Sequence, residues 1–264
     1  LFILVFTIVS LGGVGAIDDW MKLSGKSHGG MRASVKLLLQ TMIGLAVGVM
    51  LYLVMLKEDP VNASRFYILF DGYIDIRWFY PVMVALVIVS TSNAVNITDG
   101  LDGLAGGCLA ISTLAYTLVA YVVGRVDFTE YLGIPYVAVS AETTVFCTAM
   151  LGATLGFLWF NSHPAQVFLG DSGSLPLGGA LGLIACITKQ EMLLFLVGGV
   201  FVIEAGSSLL QILSFKLTGK RIFRIAPLHH HFQFKGLQES KITMRFWIVA
   251  ILLAVSSLAL LKLR

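Results

Sequence analysis

The chain has 264 residues, 57% of them hydrophobic and only 12% charged, with a formal net charge of +3. A soluble domain carries about 25% charged residues, so water is not the main solvent of this surface, and the small, dispersed positive charge gives no reason to expect nucleic acid as a partner. A lipid bilayer is the solvent that remains.

A helix needs about 20 apolar residues to cross roughly 30 Å of hydrocarbon. Eight runs meet that need, at about 1–17, 34–56, 79–95, 101–123, 140–160, 173–188, 191–215 and 243–261. They predict an all-α, polytopic membrane helical bundle, organised as a single domain over 1–264 with no internal repeat or linker. The chain opens at Leu1, inside the first run, without a basic n-region or a cleavage site, so an N-terminal part is expected ahead of it. Cys108, Cys147 and Cys186 lie in or beside apolar runs and lack CxxC spacing, which predicts packing residues and not a disulfide framework or a zinc site.

Eight crossings put the first, third, fifth and seventh loops on one face of the membrane. Eleven of the eighteen Lys and Arg residues flank those loops and seven flank the others, so the positive-inside rule makes the first set cytoplasmic. On the opposite face, residues 67–70 and 73–76 around Asp71-Gly72 predict a small β-hairpin with a type I′ turn and no chemistry of its own.

The cytoplasmic set collects Asp18 and Asp19 at the end of the first span, Asn96, Asp99 and Asp102 after the third, and Gly170-Asp171-Ser172-Gly173 after the fifth. Any one acid at a helix end is ordinarily solvated. Three clusters on one face, each within apolar sequence, point instead to a shared site. Crowded carboxylates repel one another unless a cation lies among them, and Mg2+, which takes oxygen ligands from one or two carboxylates plus substrate phosphates, meets that need. The remaining acids can then orient a nucleotide or handle a proton.

Asp99 and Asp102 share a helix face if the fourth span has begun by then, and Gly100, Gly103, Gly106 and Gly107 permit close approach there. Around Asp171 the sequence reads as a loop entering a helix, with Ser172 or Ser174 as cap, Pro176 in the first turn and free N–H groups suited to a phosphate. The seventh loop carries Pro227-Leu228-His229-His230-His231 between Lys220, Arg221 and Arg224 on one side and Lys235 on the other. Three adjacent histidines cannot all face one way. They read as a basic interfacial loop on anionic headgroups, as part of a transition-metal site completed by the aspartates, or as imidazoles that bind or protonate phosphate oxygens. Glu204 is an intramembrane acid, a functional candidate by default or the cap of a buried polar network. Asn161 and His163 precede Phe168, an aromatic able to stack on a base.

The segments Asp18-Asp19-Trp20-Met21-Lys22, 93–104 (NAVNITDGLDGL), 168–174 (FLGDSGS) and 226–232 (APLHHHF) resemble, in order, the signature blocks of the phospho-N-acetylmuramoyl-pentapeptide transferase family. The wider superfamily of polyprenyl-phosphate N-acetylhexosamine-1-phosphate transferases is similar in its aspartate blocks. The Pro-x-His-His-His loop followed by Lys235-Gly236 is more like the muramoyl member. The resemblance implies transfer of phospho-MurNAc-pentapeptide from UDP-MurNAc-pentapeptide to undecaprenyl phosphate, giving UMP and lipid I, at the cytoplasmic face of the bacterial inner membrane. It further implies Asp171 as a Mg2+ ligand, Asp18 and Asp19 at the lipid phosphate, and Lys22 with His229, His230 and His231 at phosphates. Asn96, Asp99, Asp102, Asn161, Phe168, Gly170 and Gln211 would line the substrate region. Membrane lipid and a second copy, as a homodimer, are the implied partners. The family has ten spanning helices, so this chain would be truncated by two at its N-terminus, along with a loop that adds to the nucleotide site. Pro176 and Gln233 depart from the family's usual Ala and acid.

Two other readings are separable. An ion-coupled carrier would hold its acids near the midplane in broken helices, whereas these sit at span ends. A UDP-GlcNAc donor would keep the chemistry and change only the sugar.

Overall fold

In hydrocarbon every backbone polar group must find its partner within the protein, so apolar runs of this length become helices. The computed structural model describes residues 1–24, 30–68 and 72–262. Among them are eleven α-helices: α1 (Phe2–Leu23), α2 (Ala33–Glu58), α3 (Tyr80–Thr98), α4 (Leu104–Val123), α5 (Val126–Leu132), α6 (Ser140–Asn161), α7 (Gly170–Ile187), α8 (Leu194–Val197), α9 (Gly199–Thr218), α10 (Leu228–Phe234) and α11 (Glu239–Leu260). Eight helical stretches are long and apolar enough to cross a membrane. The chain is a multi-pass membrane protein.

The spans expected from the sequence all appear, with shifted ends. The seventh starts at Gly199, because residues 188–198 form turns and the short α8. The sixth starts at Gly170, three residues earlier than its apolar run, and this moves Pro176 out of the first turn and into the helix body. All three cysteines are buried and unpaired, as expected of packing residues.

Helix α7 is the most enclosed span, packed between α1 and α3. Small residues let backbones meet, which is how helices associate where lipid removes the hydrophobic drive. At Gly15 a Cβ would fall 2.1 Å from the Asp171 carbonyl oxygen, so α1 and α7 touch backbone to backbone just where the acids stand. The Ser92 hydroxyl on α3 donates to the Leu175 carbonyl at 2.9 Å, tying α3 to α7 one turn below.

On the opposite face β1 (Arg65–Ile68) and β2 (Gly72–Asp75) form the antiparallel hairpin. Gly72 pairs with Ile68, so it belongs to a strand and not to a two-residue turn. The connection, including Asp71, lies outside the described residues. Lys189 is buried beneath this hairpin, donating to the Ala63 carbonyl at 2.9 Å and lying 3.7 Å from the Tyr80 ring centre. Burial pushes its amine down to about 8 although Glu191 opposes the shift.

Gly15→Ala is expected to cost about 1–3 kcal/mol through overpacking against backbone that has nowhere to go. Thermal unfolding in detergent checks this, and an unchanged Tm would mean that α1 and α7 do not close at this position.

Candidate active site

Helix ends from four spans deliver the polar residues to one face. Asp18, Asp19 and Lys22 come from the last turns of α1, Lys36 from the first turn of α2, Asn96 from the last turn of α3, and Asp171 from the first turn of α7. Carboxylate oxygens of Asp18, Asp19 and Asp171 lie within 4.8 Å of one another. Asp18 and Asp171 are buried, Asp19 half-buried.

Two ammonium groups hold this cluster together. Lys22 Nζ lies 2.8 Å from Asp18, 3.5 Å from Asp19 and 3.0 Å from Asp171. Lys36 Nζ pairs with the same Asp171 oxygen and lies 3.5 Å from Asp18. Asn96 Nδ2 donates to the other Asp171 oxygen at 2.5 Å and to Ser174 Oγ at 2.8 Å, which fixes the carboxylate's rotamer. The Met31 amide donates to Asp18.

Asp19 also caps α7. Its oxygens accept the N–H groups of Asp171 at 3.3 Å and Ser172 at 2.9 Å. The expected serine cap is absent, since Ser174 Oγ donates back to the Gly170 carbonyl at 2.7 Å. The N–H groups expected to be free for a phosphate are therefore already taken.

Asp99 and Asp102 part company. Helix α3 ends at Thr98 and α4 begins at Leu104, so the two acids stand in a turn and share no helix face. Asp99 faces the cluster: burial, then the negative charges of Asp171 and Asp19, push its carboxyl up to about 6 against an opposing hydrogen bond from the Gly170 backbone. Asp102 turns the other way, accepting from the Ala165 amide at 3.0 Å and pairing with His163 Nδ1 at 3.0 Å, while its own N–H donates to Glu239 at 2.8 Å. Asp102, His163 and Glu239 form a second group whose donor atoms could hold a metal. Asn161 secures the same corner, with Oδ1 accepting from the Gly103 N–H at 3.1 Å and Nδ2 donating to the Val167 carbonyl at 2.8 Å. That leaves the Phe168 ring 76% exposed beside Gly170, the first residue of α7.

The three histidines point three ways. His229 is fully buried, its Nδ1 at 2.9 Å from Glu204 and its Nε2 packed on Gly100, where a Cβ would lie 2.3 Å away. His230 Nδ1 meets Gln233 Oε1 at 3.0 Å. His231 Nδ1 accepts the Arg224 N–H at 3.2 Å, and burial with the nearby Lys235 and Arg224 charges pushes its pKa down. Gln211 is spent on the seventh loop itself: Oε1 accepts from the Ile222 and Phe223 amides and Nε2 donates to the Phe223 carbonyl.

Lys36 is the member of the cluster that the sequence reading counted only as a loop charge. Its signal was present, as a lysine one turn inside an apolar run on the face that carries the acids.

Residues 1–189 match the family model for glycosyl transferase family 4. The whole chain is 51% identical to a phospho-N-acetylmuramoyl-pentapeptide-transferase of Desulfotalea psychrophila, covering 73% of that protein. It is 46% identical to one from Methylacidiphilum infernorum, over 98% of this chain and 71% of the relative, and 49% identical to one from Pelobacter propionicus, over 98% and 72%. With identities of 46–51% over nearly the whole chain, the chain belongs to the phospho-N-acetylmuramoyl-pentapeptide transferase family.

Proposed function

We propose that this chain transfers phospho-MurNAc-pentapeptide from UDP-MurNAc-pentapeptide to undecaprenyl phosphate, releasing UMP and forming lipid I for peptidoglycan synthesis. The observation that carries the reading is the cluster of Asp18, Asp19 and Asp171 around Lys22 and Lys36 at the ends of the spans. The bias of basic residues toward the same loops supports a site on the cytoplasmic side of a bacterial inner membrane.

The donor set fits Mg2+. Asp18, Asp19 and Asp171 offer only hard oxygen atoms, and the ammonium groups already among them mark a place where positive charge is wanted. Bound there, the ion would supply charge neutralisation between two phosphate-bearing substrates. The rest falls to the protein. Asn96 holds Asp171 in one rotamer. Lys22, whose side chain is 40% exposed, can swing from the carboxylates to a phosphate oxygen. Asp99, titrating near 6, can exchange a proton with a phosphate monoester whose second ionisation lies at about 6. The exposed Phe168 ring offers a stacking face for uracil, on a loop that Asp102 and Asn161 keep in place.

An apolar cavity would suit the acceptor's hydrocarbon tail. Its volume is about 530 Å³ and it runs along α3, lined by Leu86, Val87, Leu181, Val202 and Leu209, from Glu191 near the hairpin to Val95, the residue before Asn96. A prenyl chain lying there would bring its phosphate to the acids. Pairing of two copies into a homodimer accords with this reading and is measured by the oligomeric state in detergent.

Mg2+-dependent release of UMP from UDP-MurNAc-pentapeptide, with undecaprenyl phosphate and solubilised protein, tests the reaction, with UDP-GlcNAc as the competing donor. Asp171→Asn is expected to lower turnover by at least about 100-fold; a variant within a few-fold of the unmutated chain would remove Asp171 from the chemistry. Chelation is expected to abolish turnover and added Mg2+ to restore it.

Asp99 gives a pH signature in metal-free protein. Its carboxyl ionises near 3.8 when unfolded and near 6 when folded, so between those values the unfolded chain has released the proton and the folded chain has not. Stability therefore falls as pH rises from about 4 to about 6 and levels off above. Asp99→Asn is expected to remove that slope from thermal unfolding curves taken with a chelator; the same slope in both proteins would show that another group causes it.

A further inference from the structure

Glu204 lies on α9, a spanning helix, and is fully buried, yet its carboxylate contacts none of the acids, lysines or amides of the cluster above. Among the described residues its carboxylate's hydrogen bonds all go to one residue. Glu204 Oε1 accepts the His229 backbone N–H at 3.1 Å, and Oε2 lies 2.9 Å from His229 Nδ1. The first bond satisfies an N–H at the start of α10, a group that has no partner within its own helix. The second fixes a tautomer: a carboxylate opposite Nδ1 holds the ring proton on that nitrogen and leaves the lone pair on Nε2.

His229 Nε2 is then the informative atom. It is fully buried and has no hydrogen-bond partner among the described residues, although leaving a buried polar atom unpaired is costly. It is aimed at Gly100, in the turn between Asp99 and Asp102, and only a residue without a Cβ leaves room for the ring. His230 and His231 have their Nδ1 atoms engaged by Gln233 and by the Arg224 amide and are not tied to a buried acid. An orphaned nitrogen, a carboxylate that sets its protonation and a glycine that admits it make a directed acceptor.

We propose that Glu204 is a positioning residue of the transferase site: it fixes the rotamer and tautomer of His229 so that Nε2, and not Nδ1, is presented toward the Asp99–Asp102 turn as an acceptor for a phosphate-borne proton. This rests on the phosphoryl-transfer reading for its substrate, but the tautomer itself does not. Glu204→Gln keeps the shape but leaves one oxygen to serve both His229 donors and removes the negative charge that holds the proton on Nδ1.

The test has two arms. Nitrogen-15 histidine spectra of the membrane-embedded protein, with the His229 signals assigned by difference from His229→Gln, are expected to show a bare Nε2 and a protonated Nδ1 in the unmutated chain. In Glu204→Gln the signals are expected to shift toward the other tautomer or a mixture. In turnover assays Glu204→Gln is expected to lower kcat by about 100-fold, between the loss from removing an outer partner of a metal ligand and that from a wrong histidine tautomer in a catalytic triad. KM for the nucleotide should stay within a few-fold. Adding Glu204→Gln to His229→Gln should then change kcat little, since both act through one imidazole. A proton on Nε2 in the unmutated chain, full kcat in Glu204→Gln, or independent multiplicative losses in the double variant would each overturn the proposal. If the unmutated chain transfers no phospho-sugar, the function proposed above fails, while the spectra still decide what Glu204 does to His229.

Discussion

Three carboxylates within 4.8 Å of one another are the constraint on which this structure turns. Two like charges 4 Å apart repel by about 4 kcal/mol at an effective dielectric constant near 20, so such a cluster does not assemble by itself. Lys22 and Lys36 supply the opposing charge, and the backbone contact of Gly15 with α7 sets the distance that both must span. Without that contact Asp171 would stand on a helix too far from Asp18 for one ammonium to reach both. The electrostatics and the packing are therefore one problem, solved at one crossing of two helices.

The position of the cluster follows from its solvent. A charge at the centre of a bilayer is costly, and acids held there need partners within the bundle. At a span end the same groups keep a path to water and to soluble ligands while one side stays walled by apolar helices. Four spans end together on this face, and the chain brings residues 18, 36, 96 and 171 to one point through helices that each cross the whole membrane. Glu204 is the exception, an acid well inside a span, and α10 folds back to give it a partner.

Much of this was legible in the sequence because it depends on local pattern. Run length gave the eight spans, and alternation of the loops gave the shared face for Asp18, Asp19, Asp99 and Asp171. The reading that three consecutive histidines must diverge needed only helix geometry. What could not be read depended on contacts between distant segments. Asp102 has the same local surroundings as Asp99, and only the approach of residues 163–165 and of Glu239 draws it away. The start of α7 at Gly170 was hidden because its cap comes from Asp19, about 150 positions earlier, while the apolar run begins later. Lys189 looked like one more loop cation, and its burial under the hairpin is a property of the folded outer face.

The cap on α7 gives Asp19 two claims on the same pair of oxygens. Its lone pairs hold the N–H groups of Asp171 and Ser172, and they are also among those nearest to any ion the cluster would take. A cation that draws Asp19 toward itself weakens the start of the helix that carries Asp171, and a firmly wound helix start withholds Asp19 from the cation. By linkage the two effects are one coupling free energy, so each would weaken the other by the same factor. In the proposed transfer the first turn of α7 would act as a spring against an ion held by the cluster, lowering the grip of the site and easing release.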